Sequence, residues 1–301
     1  MKKLNLKYIY ILIVIAVLPL SGFGQYLPQL SQLIKTLEFV NPGYNASKDH
    51  TSIVMLHRNQ WLGFDGAPKA YALNAHVPLN KYHLGFDANL YTETLGLRTQ
   101  SNFDLGGNVD VKVSPLSYFT FGLMGGLEAK QFDFGKADWV DIGVPVATDY
   151  NQYLFHAAAG LNFFAKNLHL GASMYYTNFT SSYYSLGERF TYYANGSYLV
   201  PIGNNWALKP AVLARVFTDQ VDLDYGMFVL YKDIFWLGVA NRLDQAMIFM
   251  ADVKVTNLFR LGYSYDYPIS DRPDFKYTSH EIRLEFNLPR KKSNFERLIP
   301  N

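Results

Sequence analysis

The sequence contains no cysteine, and after its first two dozen residues it has no run of about 18 apolar residues. Without cysteine there is no disulfide framework, no lipoprotein anchor and no thiol nucleophile. The missing apolar runs exclude a helical membrane protein. The net charge of +2 is too small to suggest a nucleic-acid partner.

The common catalytic motifs are also missing. There is no P-loop, no His-Glu-x-x-His and no Gly-x-Ser-x-Gly, and the seven histidines show no metal-ligand spacing. Gly122 to Gly126 only faintly resembles a phosphate loop, because it lies inside a strand pattern where small residues allow close contacts. His280 and Glu281 are neighbours on a predicted strand and so point to opposite faces. We therefore predict no catalytic, cofactor-binding or metal site and no enzyme.

Aromatic residues are abundant, with 23 Tyr, 22 Phe and 4 Trp. Such a content is typical of a barrel in lipid, whose Tyr and Trp rings form girdles at both membrane interfaces.

The N-terminus has the pattern of a secretory signal peptide. Lys2, Lys3 and Lys7 precede an apolar run over residues 8–18, and a small-x-small triplet ends at Gly24. The run is too short to span a bilayer, which disfavours a retained membrane helix. We predict that residues 1–24 are a signal peptide cleaved near Gly24.

Period-two alternation dominates the rest of the chain. In residues 167–177, Leu168, Leu170 and Met174 alternate with His169, Ser173 and Thr177. Most such segments hold ten residues or more, as transmembrane strands need, whereas globular strands peak at about 5–6. The predicted strands are 51–59, 68–78, 83–92, 102–113, 118–130, 151–163, 167–178, 187–200, 206–217, 222–231, 234–243, 246–256, 258–267 and 278–288.

These features predict an all-β fold, a transmembrane antiparallel up-and-down β-barrel of about 14 strands (12–16) over residues 51–288. Short and longer links alternate, the longer ones including 60–67, 93–101 and 131–150. Bacterial barrels have short periplasmic turns and longer extracellular loops, so both termini are expected in the periplasm of an integral outer-membrane protein.

Two flanking segments lack the alternation. Residues 25–50 are predicted to lie below the barrel or inside its lumen, and the basic tail 289–301 is either a periplasmic extension or disordered. Inward charges favour either mutual pairing that fills the lumen or a solute-selective channel. These charges are Asp87, Asp110, Lys112, Lys130, Arg189, Lys209, Arg215, Asp252, Lys254, Arg260 and Asp266.

The chain resembles the PorP/SprF outer-membrane proteins of the type IX secretion and gliding machinery of Bacteroidetes. The resemblance is carried by Asn41-Pro42-Gly43-Tyr44, by the block Arg58-Asn59-Gln60-Trp61-Leu62-Gly63-Phe64-Asp65-Gly66-Ala67-Pro68, and by the C-terminal stretches 262–267 and 280–282. It implies a non-enzymatic role in exporting cargo such as a large adhesin, or in anchoring it at the surface. The implied partners are the cargo and the periplasmic ring and peptidoglycan-binding components. The alternative is an outer-membrane porin or solute channel.

Within this block, Gln60 to Ala67 are expected to form the first loop, flanked by Arg58 and Pro68. Gly63 and Gly66 permit tight backbone, Pro68 fixes the exit, and Trp61 with Phe64 supplies apolar anchors. Two roles are open for this loop. It either folds into the barrel mouth or forms a docking patch for cargo or a partner.

Overall fold

A computed structural model describes residues 29–136, 149–178, 189–217, 221–269 and 276–288. The predicted signal peptide and the C-terminal tail lie outside these ranges. No helix in the described ranges is long and apolar enough to cross a membrane.

The chain forms a closed antiparallel barrel. The strands are β1 (Thr51–Asn59), β2 (Lys69–Leu79), β3 (Leu84–Leu95), β4 (Arg98–Ser114), β5 (Ser117–Phe132), β6 (Tyr150–Ala165), β7 (Leu168–Asn178), β8 (Arg189–Tyr198), β9 (Val200–Ile202), β10 (Trp206–Val216), β11 (Val221–Tyr231), β12 (Phe235–Arg242), β13 (Ala246–Lys254), β14 (Phe259–Pro268) and β15 (Ser279–Leu288). Strands that follow one another pair, except that β8 and β9 both pair with β10, and the last strand pairs with the first from Thr51↔Leu288 to Asn59↔His280. Closure leaves no sheet edge whose backbone groups would lack partners in lipid.

The barrel has fourteen strand positions, as predicted from the sequence. β8 and β9 are two parts of one strand, because both pair with β10 in a continuous register, from Ala211↔Ser197 to Leu208↔Val200. Leu199, the residue between them, donates its backbone N–H to the carbonyl of Asn167 at 2.9 Å.

The predicted alternation separates a lipid face from a lumen face. On β14, Tyr263 and Tyr267 are exposed while Ser264 and Asp266 are buried. The outward aromatics gather near both ends of the strands, which is the girdle arrangement of membrane barrels. One girdle includes Phe119, Phe163, Trp206, Tyr231, Phe235, Phe259 and Phe286, and the other includes Tyr71, Tyr153, Phe190, Tyr192, Tyr225, Tyr263 and Tyr267.

The two ends of the barrel differ in their connections. At one end, which we call the short-turn end, links such as Pro115–Leu116 and Lys166–Asn167 hold two residues. The opposite, long-loop end carries the links 60–68, 133–149, 179–188 and 269–278. The prediction of a long link over 93–101 is wrong, because β3 and β4 continue to a tight turn at Gly96–Leu97. Their pairing extends to Leu95↔Arg98, so this hairpin projects beyond its neighbours.

Residues 29–50, which we call the lumen segment, lie inside the barrel. Leu30, Leu33 and Val40 are at most 2% exposed. The segment contains 3-10 turns at Leu37–Phe39 and Tyr44–Ser47. Its side chains and backbone bond to inward residues of β1, β7, β12 and β15, among others.

Candidate functional site: the rim loop and the lumen segment

Residues 60–68, which we call the rim loop, connect β1 to β2 at the long-loop end. The N–H of Gln60 donates to the carbonyl of Pro68 at 3.0 Å and closes the loop at its base. Gly63 and Gly66 have φ values of 92° and 71°, as their predicted role in tight backbone requires. Trp61 also has a positive φ, 51°, which is unusual for a bulky residue and marks backbone held in place by its surroundings.

Neighbouring links hold the backbone of the rim loop. The N–H of Leu62 donates to the carbonyl of Thr278 at 2.8 Å, and the N–H of Trp61 donates to Oγ of Ser279 at 3.2 Å. On the other side, the N–H of Gly96 donates to the carbonyl of Gly66 at 2.9 Å. The loop is therefore fixed to the chain before β15 and to the β3–β4 hairpin.

The rim loop presents apolar side chains to the outside of the barrel end. Leu62 is 59% exposed and Phe64 is 46% exposed. The Phe64 ring meets Tyr277 edge to face at 5.3 Å between centroids, and Trp61 lies 6.3 Å from Phe64. Fixed backbone and exposed apolar tips together form an ordered surface patch.

Other residues of the block have different surroundings. Arg58 points into the lumen and is only 3% exposed. Asn59 points to the other face, where its Nδ2 lies 3.2 Å from Nε2 of His57. Pro68 is buried at the return into β2. Only the central part of the block is thus available for contact with another protein.

The N-terminal motif lies deep in the lumen, away from the rim loop. Asn41 Nδ2 donates to Oδ1 of Asn162 at 3.1 Å and to the carbonyl of Ala172 at 3.2 Å, and Asn162 Nδ2 donates back to Oδ1 of Asn41 at 3.0 Å. The half-buried Tyr44 ring lies 5.5 Å from His169. The motif therefore fixes the lumen segment to β6 and β7.

Two glycines of the barrel wall make room for this motif. Gly122 and Gly160 face each other across β5 and β6, and a Cβ on Gly122 would overlap the backbone of Pro42 and Gly43. A Cβ on Gly160 would overlap the side chain of Asn41. Gly122 thus serves a close contact, as its position in a strand suggested, although the contact is with the lumen segment.

Charged residues hold the start of the lumen segment near the long-loop end. Glu281 accepts the N–H groups of Ser31 at 2.7 Å and Gln32 at 3.0 Å. Arg58 contacts Oγ of Ser31 and pairs with Asp266 at 2.8 Å. Arg242 donates to the carbonyl of Leu30 at 2.9 Å and makes two bonds with Asp224 at 2.9 and 3.0 Å.

A second ion cluster lies closer to the short-turn end. Asp252 accepts from Lys35 of the lumen segment at 2.6 Å, from Arg260 at 2.8 Å and from Arg283 at 2.9 Å. Arg283 also pairs with Glu285. Most of the predicted inward charges that are buried thus take part in pairs of opposite sign. Lys112 follows the alternation of the inward residues on β4 but is exposed near the short-turn end.

Sequence reasoning missed the partners that the lumen segment supplies. The sequence places Glu281 next to His280 in the stretch 280–282 that carries part of the resemblance. The structure separates the two side chains, with Glu281 buried and His280 beside Tyr263 on the lipid face. Alternation does identify Glu281 as inward, but nothing local reveals that it binds residues 250 positions away. In the described ranges, no group of three or more His, Asp or Glu has an arrangement that would hold a metal ion.

The comparisons with known proteins agree with this architecture. The profile described as "Type IX secretion system membrane protein PorP/SprF" matches residues 22–286, which is most of the chain. The chain belongs to the PorP/SprF family of type IX secretion membrane proteins. No curated protein matches the chain.

Solved structures with similar folds are outer-membrane barrels. The toluene transporter TbuX of Ralstonia pickettii has a TM-score of 0.55 at 7% identity, covering 90% of this chain and 97% of its own. The monoaromatic hydrocarbon channel CymD has a TM-score of 0.49 at 8% identity, covering 88% and 94%. At these identities the likeness concerns the fold alone, and the match to TbuX supports an outer-membrane barrel.

Proposed function

We propose that this protein is a non-enzymatic outer-membrane component of type IX secretion that aids the export or surface anchoring of cargo, such as an adhesin, by docking it at the rim loop. The main support is the exposed pair Leu62 and Phe64 on a loop whose backbone is fixed by neighbouring links. Exposed apolar side chains on ordered backbone are the usual anchors of protein interfaces.

The filled lumen supports docking over conduction through this barrel. The lumen segment is bonded to β6 and β7 through Asn41, to β15 through Glu281 and to β13 through Lys35. An exported chain would have to displace these contacts in order to pass. We therefore propose that the cargo contacts the outside of the barrel mouth and does not cross the lumen.

The orientation and partners follow from this proposal. The long-loop end faces the cell exterior, where secreted cargo arrives, and the short-turn end faces the periplasm. Periplasmic ring and peptidoglycan-binding components would then contact the short-turn end. A pull-down from native membranes tests the partners, since cargo and ring components should both co-purify with the barrel.

A matched pair of variants tests the rim loop. The double variant Leu62→Ser and Phe64→Ser removes the exposed apolar tips, and surface display of the cargo should be lost while the barrel still assembles. The control is Leu116→Ser, which changes another exposed leucine, in a short turn at the opposite end. Display is measured by antibody binding to intact cells, and assembly by the heat-dependent gel mobility of the barrel. Intact display in the double variant would contradict the docking proposal.

The second candidate function is a porin or solute channel, which the polar lumen face favours. Planar-bilayer conductance separates the two, because a large and steady open channel in the unmodified protein would favour the porin. We expect little conductance while residues 29–50 occupy the lumen.

A further inference from the structure

The lumen segment crosses the barrel in a defined direction. Its start is bonded to residues near the long-loop ends of their strands. Arg242, which holds the carbonyl of Leu30, is the last residue of β12. Glu281, which accepts from Ser31 and Gln32, is the third residue of β15.

The end of the lumen segment lies at the short-turn end. The carbonyl of Asp49 accepts from Nδ2 of Asn80 in the β2–β3 turn at 2.8 Å. Nε2 of His50 lies 3.0 Å from Oδ1 of Asn287, the residue before the end of β15. The chain then turns into β1 at Thr51 and runs back toward the long-loop end.

We propose that the chain enters the barrel from its outer mouth, so that the start of the lumen segment at Gln29 faces the cell exterior beside the rim loop. This inference rests on the orientation in the proposed function but not on cargo docking. It differs from the expectation that both termini are periplasmic, which followed from the alternation of short and long links together with an even strand count. An even count places the start of β1 and the end of β15 at one end, yet the lumen segment before β1 spans the barrel once more.

Buried contacts fix the start of the lumen segment near the long-loop end. Ser31 and Gln32 bind the same carboxylate, and Arg58 contacts both Ser31 and Glu281, so the backbone at the start of the segment is held from two sides. Gln29, the first described residue, is only partly buried, whereas Leu30 is 2% exposed. The partly exposed start of the described segment therefore lies near the long-loop end.

Single-cysteine labelling of the full-length protein tests the inference, because the natural chain has no cysteine to give background. The three variants are Gln29→Cys at the start of the lumen segment, Asp65→Cys in the rim loop and Asp49→Cys at the short-turn end. Intact cells are treated with a membrane-impermeant maleimide, and permeabilised cells serve as the reference. We expect Gln29→Cys and Asp65→Cys to be labelled in intact cells and Asp49→Cys to be labelled only after permeabilisation.

The opposite pattern at Gln29→Cys overturns the inference. If Asp65→Cys is labelled in intact cells and Gln29→Cys only after permeabilisation, the chain enters from the periplasm. Labelling of Asp49→Cys in place of Asp65→Cys would reverse the orientation and also overturn it. Cargo display in the rim-loop variants is a separate readout, so failure of docking and failure of this path remain distinguishable.

A second measurement is made in case the cysteine of Gln29→Cys reacts poorly with the maleimide. A recognition sequence for a site-specific protease is inserted immediately before Gln29, and the protease is added to intact cells. Cleavage, detected as a change in mass of the purified protein, supports the path. Resistance in intact cells together with cleavage after permeabilisation overturns it.

Discussion

The guanidinium of Arg58 lies 2.8 Å from the carboxylate of Asp266, and both side chains are at most 5% exposed. Arg58 comes from the block that first suggested the family, and Asp266 lies on β14. Arg58 also contacts Ser31 and Glu281. One arginine thus joins the base of the rim loop, the wall of the barrel and the start of the lumen segment.

Replacing Arg58 should strongly destabilise the barrel. The variant Arg58→Met leaves the buried carboxylates of Asp266 and Glu281 without their cation. Removing one partner of a buried ion pair costs about 3–5 kcal/mol, because the remaining charge is uncompensated. Urea unfolding of the detergent-solubilised barrel measures this cost.

The control for Arg58 is Lys254→Met. Lys254 pairs with Asp233 at 3.4 Å, and each side chain is 35% exposed. Solvent screens such pairs, so the loss should be within about 0–1 kcal/mol. Equal losses in the two variants would contradict the structural role of the Arg58 pair.

Adding one methyl group at Gly122 should displace the lumen segment. A Cβ there overlaps the backbone of Pro42 and Gly43, which cannot move as a flexible side chain does. Overpacking of this kind costs about 1–3 kcal/mol. Thermal unfolding of Gly122→Ala, monitored by gel mobility, should show a lower midpoint than that of the unmodified protein. Trypsin should also cut residues 29–50 faster.

Gly107→Ala is the matched control for Gly122→Ala. Gly107 lies on the lipid face of β4, and the nearest atom to its added Cβ is the carbonyl of Gly85 at 3.9 Å. We expect unchanged midpoint and unchanged proteolysis. If both alanine variants behave alike, the contact of Gly122 with the lumen segment does not stabilise the protein.

Much of the barrel could be predicted from the sequence because strand alternation is a local signal. β1 was predicted with its bounds at residues 51 and 59, and the inward position of His169, Ser173 and Thr177 was read from period two alone. The count of fourteen followed from segment length and turn residues. The β3–β4 hairpin was missed because Glu93 to Ser101 is polar, and polar residues suit both a loop and strands that project beyond the membrane.

The candidate site was harder to predict because its contacts are not local. Alternation identified Asp252 and Arg260 as inward, but the pairing of Asp252 with Lys35 depends on where the lumen segment runs. Arg58 was grouped with the rim loop by sequence proximity, although strand geometry turns its side chain into the lumen. The sequence pattern predicts a loop between two strands, but separating the inward from the outward residues of the block needs the strand geometry.

Asn41 and Asn162 should be energetically coupled. Each amide donates to the other, at 3.1 and 3.0 Å, in a fully buried setting. Removing one amide leaves the other without its hydrogen-bond partner. Each single alanine variant should therefore lower the free energy of unfolding by about 1–3 kcal/mol. The double variant should cost less than the sum, with a coupling of roughly 0.5–3 kcal/mol measured by urea unfolding. Strict additivity would show that the two amides do not depend on each other.

Glu281 should protect the backbone amides at the start of the lumen segment from exchange without affecting those in its middle. Its two carboxylate oxygens accept the N–H groups of Ser31 and Gln32. The variant Glu281→Gln keeps one side-chain oxygen but replaces the other with an amide NH₂ group, which would place a donor against the second backbone N–H. An unsatisfied buried group costs about 1–3 kcal/mol, so exchange of these amides should accelerate by about tenfold or more.

Hydrogen exchange with mass spectrometry measures the effect of Glu281→Gln in a peptide covering residues 29–36. The peptide covering 39–47, held by Asn41 and Asn45, is the internal control and should exchange as in the unmodified protein. Equal acceleration in both peptides would mean that the segment is released as a unit, and Glu281 would then be an anchor for the whole segment.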